Sequence, residues 1–245
     1  MSKNILSIKN LRLKSPNSSV YILDNINLTL EEKDFLIILG GNGSGKSSLL
    51  KTINKTNKFF KGEIILDGSV PVKTASEKSI AGLTSTITQE INANLFCSMS
   101  ILENFMLYNM KYNDSQRIDE SMLKNHLNKY NSNLSKKINQ PVSVLSGGEK
   151  QSLILALIFL RPPKLLILDE HTSALAPMTS EKLMKITAEI IKDENITCVM
   201  ATHSLDFALK FGNKIVALKD GKVIYYAEGK KKQYLTKEEL ARYCY

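Results

Sequence analysis

The sequence predicts an α/β protein with a mostly parallel core sheet, because short apolar runs alternate with helical patterns in the second half of the chain. These runs suit strands buried on both faces, and they cover 35–39, 165–168, 198–201 and 215–218. Helical periodicity separates the last three, at about 178–194 and 204–211, and the final run continues into a hairpin that turns at Asp220-Gly221. The first run leads straight into a glycine-rich segment, which predicts a ligand loop at the end of a core strand.

Other parts of the chain depart from this pattern. Residues 5–13 and 25–30 alternate apolar and polar side chains, which predicts an antiparallel β subdomain with one face buried. From about 90 to 140 the pattern is helical with no buried strand, so we expect an inserted α-helical subdomain there. We expect all of these parts to belong to one domain that spans 1–245.

Length and charge limit the possible functions. The chain has 245 residues, of which 43% are apolar, and this is enough for a packed core. Its 33 Lys and Arg exceed its 24 Asp and Glu, so the net charge is +9. Because the basic residues are dispersed apart from 230–232, we interpret them as a solvated surface biased toward a membrane, and we expect no nucleic acid partner.

The three cysteines show no CxxC spacing, which argues against zinc or redox chemistry. No apolar run approaches the roughly 20 residues that span a bilayer. The N-terminus also lacks the apolar stretch of a signal peptide. These features together predict a cytosolic protein with free thiols.

The glycine-rich segment matches the pattern G-x-x-x-x-G-K-[ST], with Lys46 and Ser47 at its end. Glycines let successive backbone N–H groups converge on phosphate oxygens, and the N-terminus of the following helix adds partial positive charge. We expect Lys46 to reach the β- and γ-phosphates of a nucleotide and Ser47 to ligate Mg²⁺. The predicted nucleotide-binding residues of this loop are Gly40, Gly41, Asn42, Gly43, Ser44, Gly45, Lys46, Ser47 and Ser48.

Two carboxylates, Asp169 and Glu170, end the apolar run at 165–168. In open α/β sheets, ligands bind at the carboxyl ends of the strands. We predict that Asp169 holds Mg²⁺ through its water shell and that Glu170 polarises the attacking water. An ordinary strand that ends in a charged turn is the alternative, and the glycine-rich loop favours the functional interpretation.

A third motif, Leu145-Ser146-Gly147-Gly148-Glu149, opens a helix. Ser146 can cap that helix, and the backbone of the two glycines can approach a phosphate closely. The residues therefore predict a second anion site, but they give no reason for one chain to hold two.

With these three motifs in this order, the chain resembles the ABC ATPases, whose signature reads LSGGQ, and the resemblance covers essentially the whole sequence. It implies a P-loop NTPase fold, ATP hydrolysis, and a homodimer in which the signature of one copy completes the nucleotide site of the other. Ser146 and Gly148 would contact the γ-phosphate held by Lys46 of the second copy. The nucleotide-binding residues implied in the signature are Ser146, Gly147, Gly148 and Glu149.

The resemblance extends to single residues. Tyr21 precedes the glycine-rich loop at the distance of the family's adenine-stacking aromatic, although a tyrosine on a strand face fits equally well. Gln89 resembles the glutamine that senses Mg²⁺ and the water, and His203 resembles the histidine that holds the γ-phosphate and supports Glu170. His171, where the family more often has proline, is left unassigned. The resemblance thus implies the catalytic residues Lys46, Gln89, Glu170 and His203 and the Mg²⁺ ligands Ser47, Gln89 and Asp169.

One segment departs from the family pattern. Where the family usually reads Ser-Ala-Leu-Asp, this chain has 173–176 as Ser-Ala-Leu-Ala, directly before Pro177. In the family that Asp crosses the dimer interface, and at the start of the next helix it would supply a cap worth about 1 kcal/mol. With Ala176, we predict weaker coupling between the two sites and a lower turnover, with ATP binding retained.

The resemblance also implies a partner, because ATPases of this family energise a separate membrane permease. We expect the helical region to dock that permease through apolar residues that suit a groove, Leu95, Phe96 and Met99. Burial in the core of the helical subdomain is the alternative for each of them and fits equally well. The chain resembles ATPases of bacterial uptake systems for tryptophan, tyrosine or related small molecules, and it lacks the stretch typical of exporters before the signature. We therefore expect an importer subunit at the cytoplasmic face of the membrane, working with an extracytoplasmic substrate-binding protein. The alternative is a soluble ABC-type ATPase of iron–sulfur cluster assembly.

Overall fold

The computed structural model of the chain describes residues 3–16, 18–90, 94–110 and 119–244. Its residues cluster into two compact units. The first unit comprises Met1–Thr86, Pro163–Glu170 and Ile190–Tyr245, and the second comprises Ile87–Pro162 and His171–Glu189. The expectation of one domain with a helical subdomain at about 90–140 stays a prediction.

The described residues contain both strands and helices. The strands are β1 (Asn4–Lys14), β2 (Tyr21–Glu31), β3 (Phe35–Leu39), β4 (Lys61–Leu66), β5 (Val70–Pro71), β6 (Thr84–Ile87), β7 (Leu165–Asp169), β8 (Thr197–Ala201), β9 (Lys214–Lys219) and β10 (Lys222–Glu228). The helices are α1 (Lys46–Ile53), α2 (Glu77–Leu83), α3 (Ile101–Met110), α4 (Glu120–Asn128), α5 (Ser132–Lys136), α6 (Gly147–Ile158), α7 (Pro177–Asp193), α8 (Leu205–Lys210), α9 (Gly229–Gln233) and α10 (Lys237–Cys244).

The strands form two sheets, as the sequence predicts. A four-stranded sheet in the order β2-β1-β4-β5 pairs its strands antiparallel. A six-stranded sheet has the order β10-β9-β3-β8-β7-β6. In it β9, β3, β8 and β7 pair in parallel, whereas β9 and β10 form the expected antiparallel hairpin around Asp220-Gly221.

The central strand of the larger sheet is β3, and all five of its residues are buried. Ile37 lies opposite Met200 of β8 on one side and opposite Ile215 of β9 on the other. A strand with neighbours on both sides and no exposed face requires a continuous apolar sequence, and this explains the run at 35–39. The parallel register brings the carboxyl ends of these strands to one edge of the sheet.

The second unit is helical around α6, which is contacted by α3, α4 and α5. From Glu149 to Ile158 every residue of α6 except Lys150 is buried, so this helix forms the centre of its unit. The expected docking residues separate here: Phe96 is 60% exposed, but Leu95 is only 7% exposed. Leu95 therefore follows the alternative of burial in the core, and Met99 is half-buried. Residues 111–118, within the predicted helical region, lie outside the described residues.

Two helices after the final hairpin, α9 and α10, are absent from the sequence-based prediction. Helix α10 buries Leu240 completely, and the Tyr243 ring stacks on Tyr225 of β10 with centroids 4.2 Å apart. Within the described ranges, no helix combines the length and the apolarity needed to cross a bilayer.

A buried polar cluster around Asp34 fixes the start of β3. The Asp34 carboxylate accepts hydrogen bonds from Lys214 Nζ at 2.8 Å, Asn213 Nδ2 at 2.9 Å and the Glu31 N–H at 2.8 Å. Asn213 in turn accepts a hydrogen bond from the Phe35 N–H at 2.8 Å. Because Asp34 is only 7% exposed, its charge depends on these donors for the solvation that water would otherwise supply.

We therefore expect Asp34→Asn to lower the free energy of unfolding by about 2 kcal/mol, since a charge-assisted hydrogen bond is lost and Lys214 loses its nearest carboxylate. Urea unfolding followed by circular dichroism measures this. Glu77→Gln, which removes the exposed ion pair to Lys58, is the control and should leave stability nearly unchanged. Equal stability of Asp34→Asn and the parent protein would contradict the assigned role of the cluster.

Candidate active site

The glycine-rich loop connects β3 to α1 at the carboxyl edge of the larger sheet. Gly45 precedes the first residue of α1 and has a φ of 103°, a conformation that favours glycine. A Cβ on Gly45 would lie 2.9 Å from Leu23 Cδ2 and 3.0 Å from the Ile22 carbonyl oxygen. A side chain at this position would thus be strained by the backbone conformation and would press against β2.

Lys46, the predicted phosphate-binding lysine, is 6% exposed and is held inside the loop. Its Nζ donates hydrogen bonds to the carbonyl oxygens of Gly40 at 2.8 Å and Gly41 at 3.1 Å. The same ammonium lies 3.7 Å from Glu170 Oε1. Two carbonyl oxygens and one carboxylate therefore hold the Lys46 ammonium in place. A bound phosphate, which carries more negative charge than a carbonyl group, can replace these contacts or add to them.

Ser47 and Asp169, two of the predicted Mg²⁺ ligands, lie together. The Ser47 hydroxyl donates a hydrogen bond of 3.1 Å to Asp169 Oδ1. Burial raises the pKa of Asp169, and the neighbouring Glu170 carboxylate adds to this effect. A hydroxyl and a carboxylate are oxygen donors of the kind that Mg²⁺ prefers, with phosphate oxygens and water completing the octahedron. The donor set therefore fits this ion.

No group of three or more His, Cys, Asp or Glu suited to a metal occurs in the part of the chain that the structure describes. A site made of protein side chains alone is therefore not found there. Mg²⁺ usually keeps several water ligands and is bound through one or two carboxylates together with phosphates.

Glu170 follows β7 directly, and its backbone is unusual. Its φ of 46° is in the left-handed region, which costs a non-glycine residue on the order of 1 kcal/mol. The Glu170 N–H donates to the Ala201 carbonyl at 3.1 Å, which holds this conformation. Backbone strain of this kind concentrates at functional sites.

The strained turn places the Glu170 side chain between two basic groups. Its Oε1 faces Lys46, and its Oε2 lies 3.4 Å from Nδ1 of His203. Because Asp169 pairs with Ala201 across β7 and β8, His203 emerges from β8 near Glu170. The structure thus brings together Lys46, Ser47, Asp169, Glu170 and His203 as the sequence predicts, while their roles stay predictions.

Tyr21 is the first residue of β2, close in sequence to the segment that contacts Gly45. Its ring centroid lies 5.3 Å from Lys14 Nζ and 6.0 Å from Arg12 Cζ. These cations give the ring a basic environment, and the stacking of Tyr21 on adenine stays a prediction.

The signature Ser146–Glu149 and Gln89 belong to the second unit. Ser146 caps α6: its hydroxyl accepts a hydrogen bond from the Glu149 N–H at 3.3 Å, and the Glu149 carboxylate accepts one from the Ser146 N–H at 2.9 Å. This reciprocal capping box holds Gly147 and Gly148 in the first turn of the helix. Gln89 follows β6, and its predicted role in binding Mg²⁺ stays a prediction.

His171, left unassigned by sequence, is 2% exposed, and its Nε2 has no hydrogen-bond partner within the described residues. Burial lowers the pKa of His171 to about 4, so the ring is neutral at physiological pH. His126, in the helical unit, donates a hydrogen bond of 2.7 Å from its Nε2 to the Ala156 carbonyl oxygen, and this is a structural contact.

One residue of the site is missed by sequence analysis. Gly221, in the hairpin turn after β9, donates its N–H to the Ser44 carbonyl at 3.1 Å and accepts the Asp24 N–H at 2.8 Å. With a φ of 72°, its backbone lies so close to β2 that a Cβ would be 2.3 Å from the Ile22 carbonyl oxygen. Gly221 thus connects the phosphate loop to the strand that bears Tyr21.

The chain is similar to several known proteins. A family model described as "ABC transporter" matches residues 23–173. A tyrosine transport ATP-binding protein of Clostridioides difficile is 35% identical, with 96% of this chain and 97% of that protein covered. A phosphonates import ATP-binding protein of Shouchella clausii is 30% identical, with 90% of this chain and 85% of that protein covered.

A solved structure is also similar to this chain. It is an ATP-binding cassette described as the dimer of a post-hydrolysis state with ADP and Pi. The TM-score is 0.75 at 26% identity, and the match covers 91% of this chain and 98% of that one.

We expect Gly221→Ala to weaken the binding of Mg-ATP about tenfold, or about 1.4 kcal/mol, because the added Cβ displaces the turn that supports Ser44. Titration with a fluorescent ATP analogue measures this. Gly229→Ala is the matched control, since Gly229 also has a positive φ, 53°, but a Cβ there meets nothing within 4 Å. Equal losses of affinity in the two variants would show that the backbone conformation, and not the contact with β2, is responsible.

Proposed function

Since the chain belongs to the ABC transporter family and is an ABC-type ATPase that uses ATP and Mg²⁺, we propose that it energises a small-molecule importer. The observation that supports the chemistry is one cluster at the carboxyl edge of the larger sheet. There Lys46 lies 3.7 Å from Glu170, Glu170 lies 3.4 Å from His203, and Ser47 is hydrogen-bonded to Asp169 at 3.1 Å.

We assign the hydrolysis steps to these side chains. Lys46 and the loop N–H groups bind the β- and γ-phosphates, and Ser47 and Asp169 hold Mg²⁺, with Gln89 proposed as a further ligand. When bound, Mg²⁺ neutralises charge that develops on the phosphates. Glu170 orients the attacking water and accepts its proton, and His203 holds Glu170 and the γ-phosphate.

We propose that the working form is an ATP-dependent homodimer. Ser146 and Gly148 of one copy would contact the γ-phosphate bound by Lys46 of the other, and Tyr21 would stack on the adenine. Two features support this. The similar cassette with ADP and Pi is described as a dimer, and the capped N-terminus of α6 presents backbone N–H groups of the kind that bind phosphate.

We further propose that the importer contains a separate permease, which holds this chain at the cytoplasmic face of the membrane, and an extracytoplasmic substrate-binding protein. Relatives named for tyrosine transport and for phosphonates import support the import of a small molecule. The exposed Phe96 of the helical unit suits contact with the permease. These names do not favour the alternative of iron–sulfur cluster assembly.

The dimer is tested with Glu170→Gln, which keeps the shape of the side chain but cannot accept the water proton. We expect hydrolysis to fall at least about 100-fold, the usual contribution of a general base. ATP should then persist in both sites and hold the dimer together, and light scattering after size exclusion measures this. Glu170→Gln combined with Lys46→Ala should stay monomeric. A monomeric Glu170→Gln protein at saturating Mg-ATP would overturn the proposed dimer.

The segment that departs from the family pattern, 173–176, directly precedes helix α7. Helix α7 begins at Pro177, and the Ala176 carbonyl accepts the Ser180 N–H at 2.9 Å, but the Ala176 side chain offers no capping oxygen. We expect Ala176→Asp to raise the turnover of the assembled complex about fivefold, the low end of typical coupling between sites, with ATP affinity unchanged.

Steady-state phosphate release measures this turnover, and Ala176→Asn is the control because it restores a capping oxygen without charge. If Ala176→Asp leaves turnover where it was, the loss of Asp at 176 has no part in coupling. If Ala176→Asn raises turnover equally, helix capping and not the interface charge is responsible.

A further inference from the structure

The fifth residue of the signature is Glu149, where the family motif ends in glutamine. Its carboxylate is nearly buried, with a side chain 10% exposed, and it sits in the first turn of α6. One oxygen accepts the Ser146 N–H, so this donor is already used by the capping box. The other oxygen lies 2.8 Å from Nζ of Lys137, which follows the last residue of α5.

A carboxylate at this position affects any anion that approaches the turn. The N-terminus of a helix carries about half a positive elementary charge, and a full negative charge on Glu149 more than cancels it. A buried charge without a partner is also screened weakly by water. By itself, Glu149 would therefore repel the phosphate that the proposed dimer brings to Ser146 and Gly148.

The Lys137 ammonium removes this repulsion because it lies within hydrogen-bond distance of the Glu149 carboxylate and balances its charge. The Lys137–Glu149 pair is net neutral, so the partial positive charge of the helix terminus is again available to an anion. The Ser146 hydroxyl accepts from the Glu149 N–H, and its own proton can therefore be donated to a phosphate oxygen.

We propose that Lys137 is a positioning residue of the nucleotide site, because it neutralises Glu149 and so allows the signature turn to receive the γ-phosphate bound by a second copy of the chain. This inference rests on the proposed function, in which the signature faces the nucleotide of the partner. Lys137 lies 12 residues before Glu149 in the sequence and is not part of the signature motif, so the motif alone does not reveal this role.

The experiment uses full-length Glu170→Gln protein, in which ATP is retained. We expect Lys137→Gln in this background to raise the Mg-ATP concentration for half-maximal dimerisation about tenfold, equivalent to about 1.4 kcal/mol. Adding Glu149→Gln should restore dimerisation, because neither charge then remains. Lys136→Gln, which removes the same charge from an exposed neighbour in α5, should leave the midpoint unchanged. Light scattering gives the midpoint, and thermal unfolding checks that each variant is folded.

The outcomes separate the inference from the function on which it rests. If the Glu170→Gln parent does not dimerise with Mg-ATP, the proposed dimer and this inference both fall. If the parent dimerises and Lys137→Gln has the same midpoint, the inference alone is wrong. If Lys137→Gln weakens dimerisation and Glu149→Gln does not restore it, Lys137 acts only through the structure of α5, and charge neutralisation is excluded.

Discussion

The candidate active site depends on the parallel register of β3, β8 and β7. Ile37 of β3 and Leu168 of β7 both lie opposite Met200 of β8, so the three strands end at the same level. The phosphate loop, the Asp169-Glu170 pair and His203 follow these three ends. A slip of one residue would move a side chain by about 3.3 Å and turn it to the opposite face of the sheet. Contacts such as the 3.4 Å approach of Glu170 and His203 cannot survive such a slip.

The register is itself fixed by features other than the predicted catalytic side chains. Continuous burial of β3 excludes a polar residue on either face, and the buried Asp34 cluster connects the start of β3 to the start of β9 through Asn213 and Lys214. At the opposite end, Gly221 connects the loop after β3 to β2. Polar contacts thus hold both ends of the central strand, and the apolar core holds its middle.

Sequence reasoning recovered the features that are local in the chain. The glycine-rich loop, the buried runs and the capping motif each depend on neighbouring residues, so their chemistry can be read directly, and the predicted strands and most helices are found. It did not recover what depends on distant residues: the contact of Gly221 with β2, the left-handed backbone of Glu170, or the α10 helix packed on the hairpin. For Leu95 the sequence leaves exposure and burial both open for the same reason, since an apolar residue next to the exposed Phe96 can be assigned to the core only when its neighbours are known.

At each of the two predicted phosphate-binding loops a lysine lies close to a glutamate, and one member of each pair comes from another segment of the chain. The geometry of the two pairs differs. Lys46 and Glu170 are 3.7 Å apart, and Lys46 also shares its protons with two carbonyl oxygens. Lys137 and Glu149 are 2.8 Å apart in a direct ion pair. This difference matches the proposed roles. Lys46 must turn toward phosphate and leave Glu170 to a water molecule, whereas Lys137 must stay on Glu149 for the signature turn to remain neutral. A loose pair suits a lysine that exchanges partners during turnover, and a tight pair suits one whose task is to keep a charge balanced.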